Sequence, residues 1–158
     1  MDVTRWAHAG QMDETRTDSG GLVALGREEC LRRLNDHHLG RLAFIVDNQP
    51  LIFPVNYAMS GSDVVFRSDD GLKMSHALDH AVALQIDGAD AWRHEGWSVL
   101  LLGTMREETD SVLIRELESV PLGSWVPGPK PHWVRIRSTA ITGRRVSHAL
   151  ATPTPSAQ

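Results

Sequence analysis

The sequence predicts a mainly β fold with flanking helices, arranged as an antiparallel barrel. Six segments have the alternating or continuously apolar pattern of strands, and short turn-forming connections separate most of them. In two of these segments both faces are apolar, so one face can fill a barrel while helices or a second subunit cover the other. The mixed order of the predicted elements lacks the regular strand and helix alternation of a doubly wound sheet.

The predicted elements begin at residue 27. Residues 27–35 are predicted as a helix because Cys30, Leu31 and Leu34 form one apolar stripe among charged residues. Strands are predicted over 41–46, 51–57, 63–67, 81–87, 97–106 and 132–141, with turns at 47–50, 60–63 and 87–88. Helical spacing predicts two further helices over 72–78 and 110–120, and Pro121 ends the second of them.

Length and composition predict one domain. A chain of 158 residues, 41% of them hydrophobic, can bury one substantial core. We assign residues 22–147 to this domain, 1–21 to a flexible N-terminal segment and 148–158 to a flexible, proline-punctuated C-terminal tail. The single cysteine, Cys30, cannot form an intramolecular disulfide, which favours a cytoplasmic location.

The charge distribution bears on possible partners. The formal net charge is −4, and the arginine pairs at 32–33 and 144–145 are too short to track phosphates, so nucleic acid is not an expected partner. No apolar run reaches the length of a membrane span, so no membrane partner is expected either. His76 and His80 are four residues apart on a predicted helix, but no third ligand is evident, and no metal site is predicted.

A proline within a predicted strand marks the candidate functional site. Pro54 cannot donate a backbone hydrogen bond, so its strand should lie at a sheet edge or a bulge, with nearby backbone groups free for a planar ligand. Arg67 and Lys73 flank the turn that ends the next strand, where they could hold a phosphate near the start of a predicted helix. A ring and a phosphate together indicate a mononucleotide cofactor.

Surface ion pairing is the alternative role for these two cations. Their partners would be Asp69, Asp70 or Asp79, and each exposed pair would contribute about 0–1 kcal/mol to stability. Asp69 and Asp70 also stand inside the proposed phosphate turn, where a carboxylate would repel the ligand. The phosphate prediction therefore requires both carboxylates to point outward.

Four segments, in their order and spacing, resemble the FMN-binding split β-barrel of the pyridoxamine 5′-phosphate oxidase-like superfamily. They are GRLAFIVDNQPLIFPVNY (40–57), VVFRSDDGLKMSHAL (64–78), ALQIDG (83–88) and GWSVLLLGTMRE (96–107). Within the superfamily, the chain looks most like the branch of short flavin-nucleotide-binding proteins that includes nitroimidazole-resistance reductases. The resemblance runs from residue 27 to residue 146, nearly all of the predicted domain.

The resemblance implies a homodimer with FMN bound in a groove between the subunits. The residues that it places beside the isoalloxazine ring, largely through their backbone, are Pro54, Val55, Asn56 and Tyr57. Those that it places at the phosphate are Phe66, Arg67, Ser68 and Lys73. The strand that would close over the ring begins with Trp97, Ser98 and Val99, and a late strand that often comes from the partner carries Trp133 and Arg135. A core position is the ordinary alternative for Trp97.

The function implied by the resemblance is that of a flavin-dependent oxidoreductase that passes reducing equivalents to a small organic acceptor. The cofactor carries the difficult chemistry, so no catalytic residue is assigned, although His76 and Tyr57 are candidates for proton delivery. The arginine-containing clamp of true pyridoxamine phosphate oxidases is replaced by HWVRIR at 132–137, which argues against vitamin B6 chemistry.

Two alternatives remain open at the level of sequence. One is a deazaflavin-dependent reductase of the same fold, whose longer anionic tail would need a wider basic groove. Residues that could supply that groove are Arg93, Lys130, Arg135 and Arg137. The other is a non-enzymatic module that binds or stores a flavin, or that binds haem.

Overall fold

The computed structural model describes residues 22–120, 122–123 and 127–146, so the predicted flexible segments 1–21 and 148–158 lie outside the described residues. The strands are β1 (Leu22–Leu25), β2 (Leu39–Val46), β3 (Gln49–Asn56), β4 (Ala58–Ser60), β5 (Asp63–Ser68), β6 (Ala81–Asp90), β7 (Glu95–Glu107) and β8 (His132–Val146). The helices are α1 (Arg27–Asp36), α2 (Leu72–Ala77) and α3 (Ser111–Glu118). Within this part of the chain, no helix is long and apolar enough to cross a membrane.

All eight strands form one curled antiparallel sheet with the order β3-β2-β6-β7-β8-β5-β4, and β1 pairs with β8 beside this path. The mainly β antiparallel fold predicted from the sequence is confirmed. The six predicted strands and three predicted helices are all present, and the structure adds the short strands β1 and β4. The fifteen-residue β8 pairs with β7 along one side, and along its other side it pairs with β5 near its start and with β1 near its end.

The turns show where local sequence signals succeed and fail. Asp47 and Asn48 both have positive φ, 49° and 61°, and they join β2 to β3 in the two-residue hairpin that such residues favour. The predicted turn at 87–88 is wrong, because Gly88 lies inside β6 opposite Trp97. A side chain at Gly88 would place its Cβ 2.7 Å from Nε1 of Trp97. The glycine is therefore needed to leave room for the indole ring and does not form a turn.

Helix α1 packs against the main core of the sheet. Its Cys30 and Leu34 are fully buried in the main core, where the Tyr57 hydroxyl donates a 2.8 Å hydrogen bond to the carbonyl of Leu34. Helix α3 buries Leu117 in a second cluster, which also contains Ala58 of β4, Val65 of β5 and Trp133 of β8. The expectation that helices cover part of the outer sheet surface is therefore confirmed.

A second part of the outer sheet surface stays uncovered within the described chain. Direct register partners share a face, and the register Ile52↔Ala43↔Ala83↔Leu102 runs across β3, β2, β6 and β7. Ile45 and Leu100 lie two positions along on the same face, and Ile45 and Ile52 are 58% and 64% exposed. We call this surface, made of Ala43, Ile45, Ile52, Ala83, Leu100 and Leu102, the open face.

Candidate cofactor-binding site

A pocket of about 630 Å³ lies at the free edge of β3. This volume is in the ordinary range for small-molecule sites. Among the described residues, β3 ends the strand order of the sheet and pairs with β2 alone, with Pro54 opposite Arg41. The prediction that Pro54 belongs to an edge strand is confirmed, and the pocket opens where the strand has backbone groups without a second strand neighbour.

The pocket brings together residues from four parts of the chain. Its lining residues are Phe53, Pro54, Val55, Asn56, Arg67, Asp69, Lys73, Leu122, Gly128, Pro129, Lys130 and Pro131. Five of the site residues predicted from the sequence are among them: Pro54, Val55, Asn56, Arg67 and Lys73. One wall is therefore the apolar edge of β3, and the rest of the lining includes cations from the end of β5, from α2 and from the segment before β8.

Aromatic rings hold the two predicted cations in place. The guanidinium carbon of Arg67 lies 5.3 Å from the centre of the Trp133 ring, its register partner on β8. The ammonium of Lys73 lies 5.4 Å from the centre of the Phe53 ring, which stacks on Phe44. Cation–π contacts of this kind stabilise a side chain without using up its hydrogen-bond donors. Both cations thus keep donors for an anion in the pocket.

A third cation, Lys130, joins them. Its side chain is 16% exposed, and its ammonium lies 3.7 Å from Oδ2 of Asp69. The sequence suggested Lys130 only for a wider deazaflavin groove, together with arginines that the structure places elsewhere. The pairing of β5 with β8 explains the position of Lys130. Because Ser68 pairs with His132, the residues just before β8 must lie beside the turn that follows β5.

The two aspartates of the turn behave differently. Asp70 is 91% exposed and accepts from His132, as the outward orientation requires. Asp69 does not meet this requirement of the phosphate prediction, because it lines the pocket with Oδ1 3.9 Å from the ammonium of Lys73. Two neighbouring ammonium groups attract this carboxylate, so the ion-pair alternative is realised at Lys73. Asp79, the third suggested partner, pairs instead with Arg106 at 2.7 Å.

Several predicted contact residues lie in the core rather than on the pocket wall of this subunit. Tyr57, Phe66 and Val99 are fully buried, and the pKa of Tyr57 is raised by burial. The Tyr57 hydroxyl faces the carbonyl of Leu34, which makes it a poor candidate for proton delivery to the pocket. Ser68 is also buried, and its hydroxyl donates to the carbonyl of Asp69 at 3.0 Å, so it shapes the turn.

The remaining predicted residues lie on β7 and β8. Trp97 packs against α1, with the Arg33 guanidinium 4.2 Å from its ring centre, and Ser98 follows it on β7. Trp133 is buried and supports Arg67. Arg135 is held by Glu108 at 3.1 Å and by Asp63 at 3.6 Å. Direct cofactor contacts by these side chains stay predictions.

His132 ties the turn after β5 to the body of the sheet. Its Nδ1 lies 2.7 Å from Oε1 of Glu107 and its Nε2 lies 2.8 Å from Oδ1 of Asp70. Both ring nitrogens face carboxylates, so both donate when the ring is protonated. Hydrogen bonds to Glu107 and then to Asp70 raise the pKa of His132 above its ordinary value.

This bridge predicts a pH dependence of stability. A folded-state pKa above the unfolded value means that the stabilisation is fully present below about pH 6.5 and is lost as the pH rises through the raised pKa. Thermal unfolding should therefore show a stability difference between the native chain and His132→Gln that is largest at mildly acidic pH and shrinks towards alkaline pH. Parallel unfolding curves across that range would contradict the bridge.

Three comparisons with known proteins each found similar proteins or families. The family model for pyridoxamine 5′-phosphate oxidase matches residues 26–145. An uncharacterized protein of Mycobacterium tuberculosis is 30% identical over 138 residues, which cover 84% of this chain and 90% of that protein. Among solved structures, the FAD binding protein from Mycobacterium smegmatis is 35% identical with a TM-score of 0.67, and it covers 78% of this chain and 97% of its own. A conserved protein of unknown function from Corynebacterium diphtheriae is 29% identical with a TM-score of 0.69 at the same coverage.

Proposed function

Because the chain belongs to the pyridoxamine 5′-phosphate oxidase family, we propose that it is a flavoprotein that binds a phosphorylated flavin in the pocket at the free edge of β3. The observation that carries the proposal is the combination of an apolar strand edge with converging cations in one pocket. A flavin nucleotide has the matching halves, a flat and largely apolar ring and an anionic tail.

The pocket residues fit these two halves separately. Phe53, Pro54 and Val55 offer an apolar wall for the ring, and the backbone of this edge strand can hydrogen-bond its polar rim. Arg67 and Lys73 offer charge-assisted hydrogen bonds to the phosphate. The flavin would supply hydride or electron transfer when bound, and the chain would fix the position of its ring and tail.

FMN is the cofactor that we propose first, since one phosphate matches the compact cation cluster at the end of β5. FAD is the second candidate, because the Mycobacterium smegmatis protein, 35% identical, is an FAD binding protein. The deazaflavin alternative has less support. Of the basic groove suggested for it, Lys130 lines the pocket, whereas Arg93 pairs with Asp90 in an exposed turn and Arg135 with Glu108.

We further propose that the reaction is a flavin-dependent reduction of a small organic acceptor. The surroundings of Arg135 argue against vitamin B6 oxidation. Arg135 lies in the segment 132–137, which stands where true pyridoxamine phosphate oxidases carry their substrate clamp. Its side chain is only 12% exposed, and its guanidinium is already held by Glu108 and Asp63. An arginine neutralised in this way has few donors left for a substrate phosphate.

Spectroscopy on the purified chain tests the proposal. Protein that shows the absorption bands of an oxidised flavin, and releases free flavin on heating, supports cofactor binding. Chromatography of the released flavin then distinguishes FMN from FAD. Bleaching by a reduced nicotinamide nucleotide supports the oxidoreductase over a storage role, and a chain that binds neither flavin contradicts the proposal.

A homodimer is part of the same proposal. The open face is apolar across four strands, and surfaces of this kind usually mark an interface. It includes Ile52, two residues from Pro54 in the pocket wall, so a second copy seated on this face would border the pocket. A second copy fits this face because the face carries a row of matched aliphatic side chains and a two-fold interface is self-complementary.

Replacing Ile52 by aspartate should weaken this dimer by about tenfold, because the interface would have to bury a carboxylate. Sedimentation equilibrium measures the effect. Val112→Asp is the matched control, since Val112 is 55% exposed but lies on α3, away from the open face. Equal association constants for the two variants would exclude the open face as the interface.

A further inference from the structure

The cation cluster of the pocket contains its own anion. Asp69 lies between two ammonium groups, 3.9 Å from that of Lys73 and 3.7 Å from that of Lys130. Both separations are longer than a hydrogen bond, so the carboxylate is attracted by both lysines without being tightly bound to either. The two lysines are 22% and 16% exposed, whereas Asp69 is 51% exposed and has solvent beside it.

This arrangement leaves the carboxylate replaceable. Asp69 can rotate towards water at little cost because half of its surface is already exposed, while the two lysines are confined between the edge of β3 and the segment before β8. A phosphate oxygen placed between the same ammonium groups would gain charge-assisted hydrogen bonds that the carboxylate does not make at these distances.

We infer that Asp69 is a built-in counter-anion that a ligand's phosphate displaces from Lys73 and Lys130, and that Lys130 is the third phosphate-binding cation of the pocket. The inference rests on the proposed flavin site and goes beyond it by assigning two residues that set selectivity for the ligand's charge. With Arg67, the three cations and one carboxylate carry a net charge of about +2, which balances the charge of about −1.5 to −2 on a phosphate monoester near pH 7.

Charge selectivity follows from this balance. When a flavin without a phosphate enters the pocket, Asp69 keeps its contacts with the two lysines. Its charge therefore does not change the binding free energy of an uncharged flavin. With a phosphate, Asp69 must leave the lysines and remain nearby as a repelling charge. Removing its charge should therefore strengthen the binding of FMN and leave the binding of riboflavin unchanged, whereas removing the charge of Lys130 should weaken FMN binding alone.

Calorimetric titration of FMN and riboflavin into four proteins tests this: the native chain, Asp69→Asn, Lys130→Gln and the double variant. We expect Asp69→Asn to lower the FMN dissociation constant by about three- to tenfold and Lys130→Gln to raise it by a similar factor. The gain from Asp69→Asn should shrink in the Lys130→Gln background, because the two charges interact directly. Asp90→Asn is the control for overall charge, since Asp90 is the last residue of β6, does not line the pocket and pairs with Arg93.

The outcomes separate this inference from the proposed function. If both flavins bind but Asp69→Asn changes neither affinity, or both equally, the counter-anion role is wrong and the flavin site stands. If no flavin binds, the proposed function fails, and inorganic pyrophosphate becomes the probe of the cation cluster. A thermal stabilisation by pyrophosphate that Lys130→Gln and Asp69→Asn do not alter would then overturn the inference as well.

Discussion

Alanine at both Arg67 and Lys73 should raise the dissociation constant of FMN by about 10²- to 10⁴-fold. A hydrogen bond to a charged group contributes about 1.5–3 kcal/mol, and every 1.4 kcal/mol changes affinity about tenfold, so two such losses give this range. The two side chains come from different elements, β5 and α2, yet they line the same pocket. Fluorescence titration measures the loss, because the flavin's emission changes on binding.

Riboflavin and a distant arginine separate a phosphate effect from general damage. Riboflavin lacks the phosphate, so its affinity should change by much less in the double variant. Arg93→Ala removes an exposed cation in the turn after β6 and should leave both affinities as they are. Unfolding must also be followed, since Arg67 packs over the Trp133 ring. An unchanged FMN affinity in a folded double variant would show that the phosphate lies elsewhere.

The fold could be predicted from the sequence because its strands carry strong local patterns. The segment around Leu42 and Phe44 alternates in burial as the period of two requires, and the hairpin at Asp47 uses residues that tolerate positive φ. The strands β1 and β4 were not predictable in this way, because three or four residues are too few to show a period. Their strand conformation comes from pairing with β8 and β5.

The candidate site also has features that the local sequence predicts and one that depends on long-range strand pairing. The edge position of Pro54 and the grouping of Arg67 with Lys73 follow from residues close together in sequence. The contribution of Lys130 depends on the pairing of β5 with β8, between residues 64 positions apart such as Ser68 and His132. A local pattern carries no information on that register, so Lys130 could be suggested from sequence only as a cation and not placed beside Asp69.

Gly103 illustrates a constraint that only the structure reveals, and it predicts a large loss of stability on substitution. Leu102 pairs with Ala140 and Gly103 with Ser138, so Thr139 forms a β-bulge on β8. A Cβ on Gly103 would clash with the carbonyl oxygen of Arg137. The clashing atom belongs to the backbone, so no rotamer change can relieve the contact and the two strands must separate.

Gly103→Ala should therefore lower the free energy of unfolding by about 3 kcal/mol, at the upper end of the usual cost of overpacking. Urea denaturation measures this. Gly123→Ala is the matched control, because a Cβ there would meet no atom within 4 Å. The strain should also reach the pocket, since β8 carries Trp133, on which Arg67 rests, and FMN affinity should fall with stability. If both alanine variants unfold at the same urea concentration, the bulge is not the constraint that holds β7 against β8.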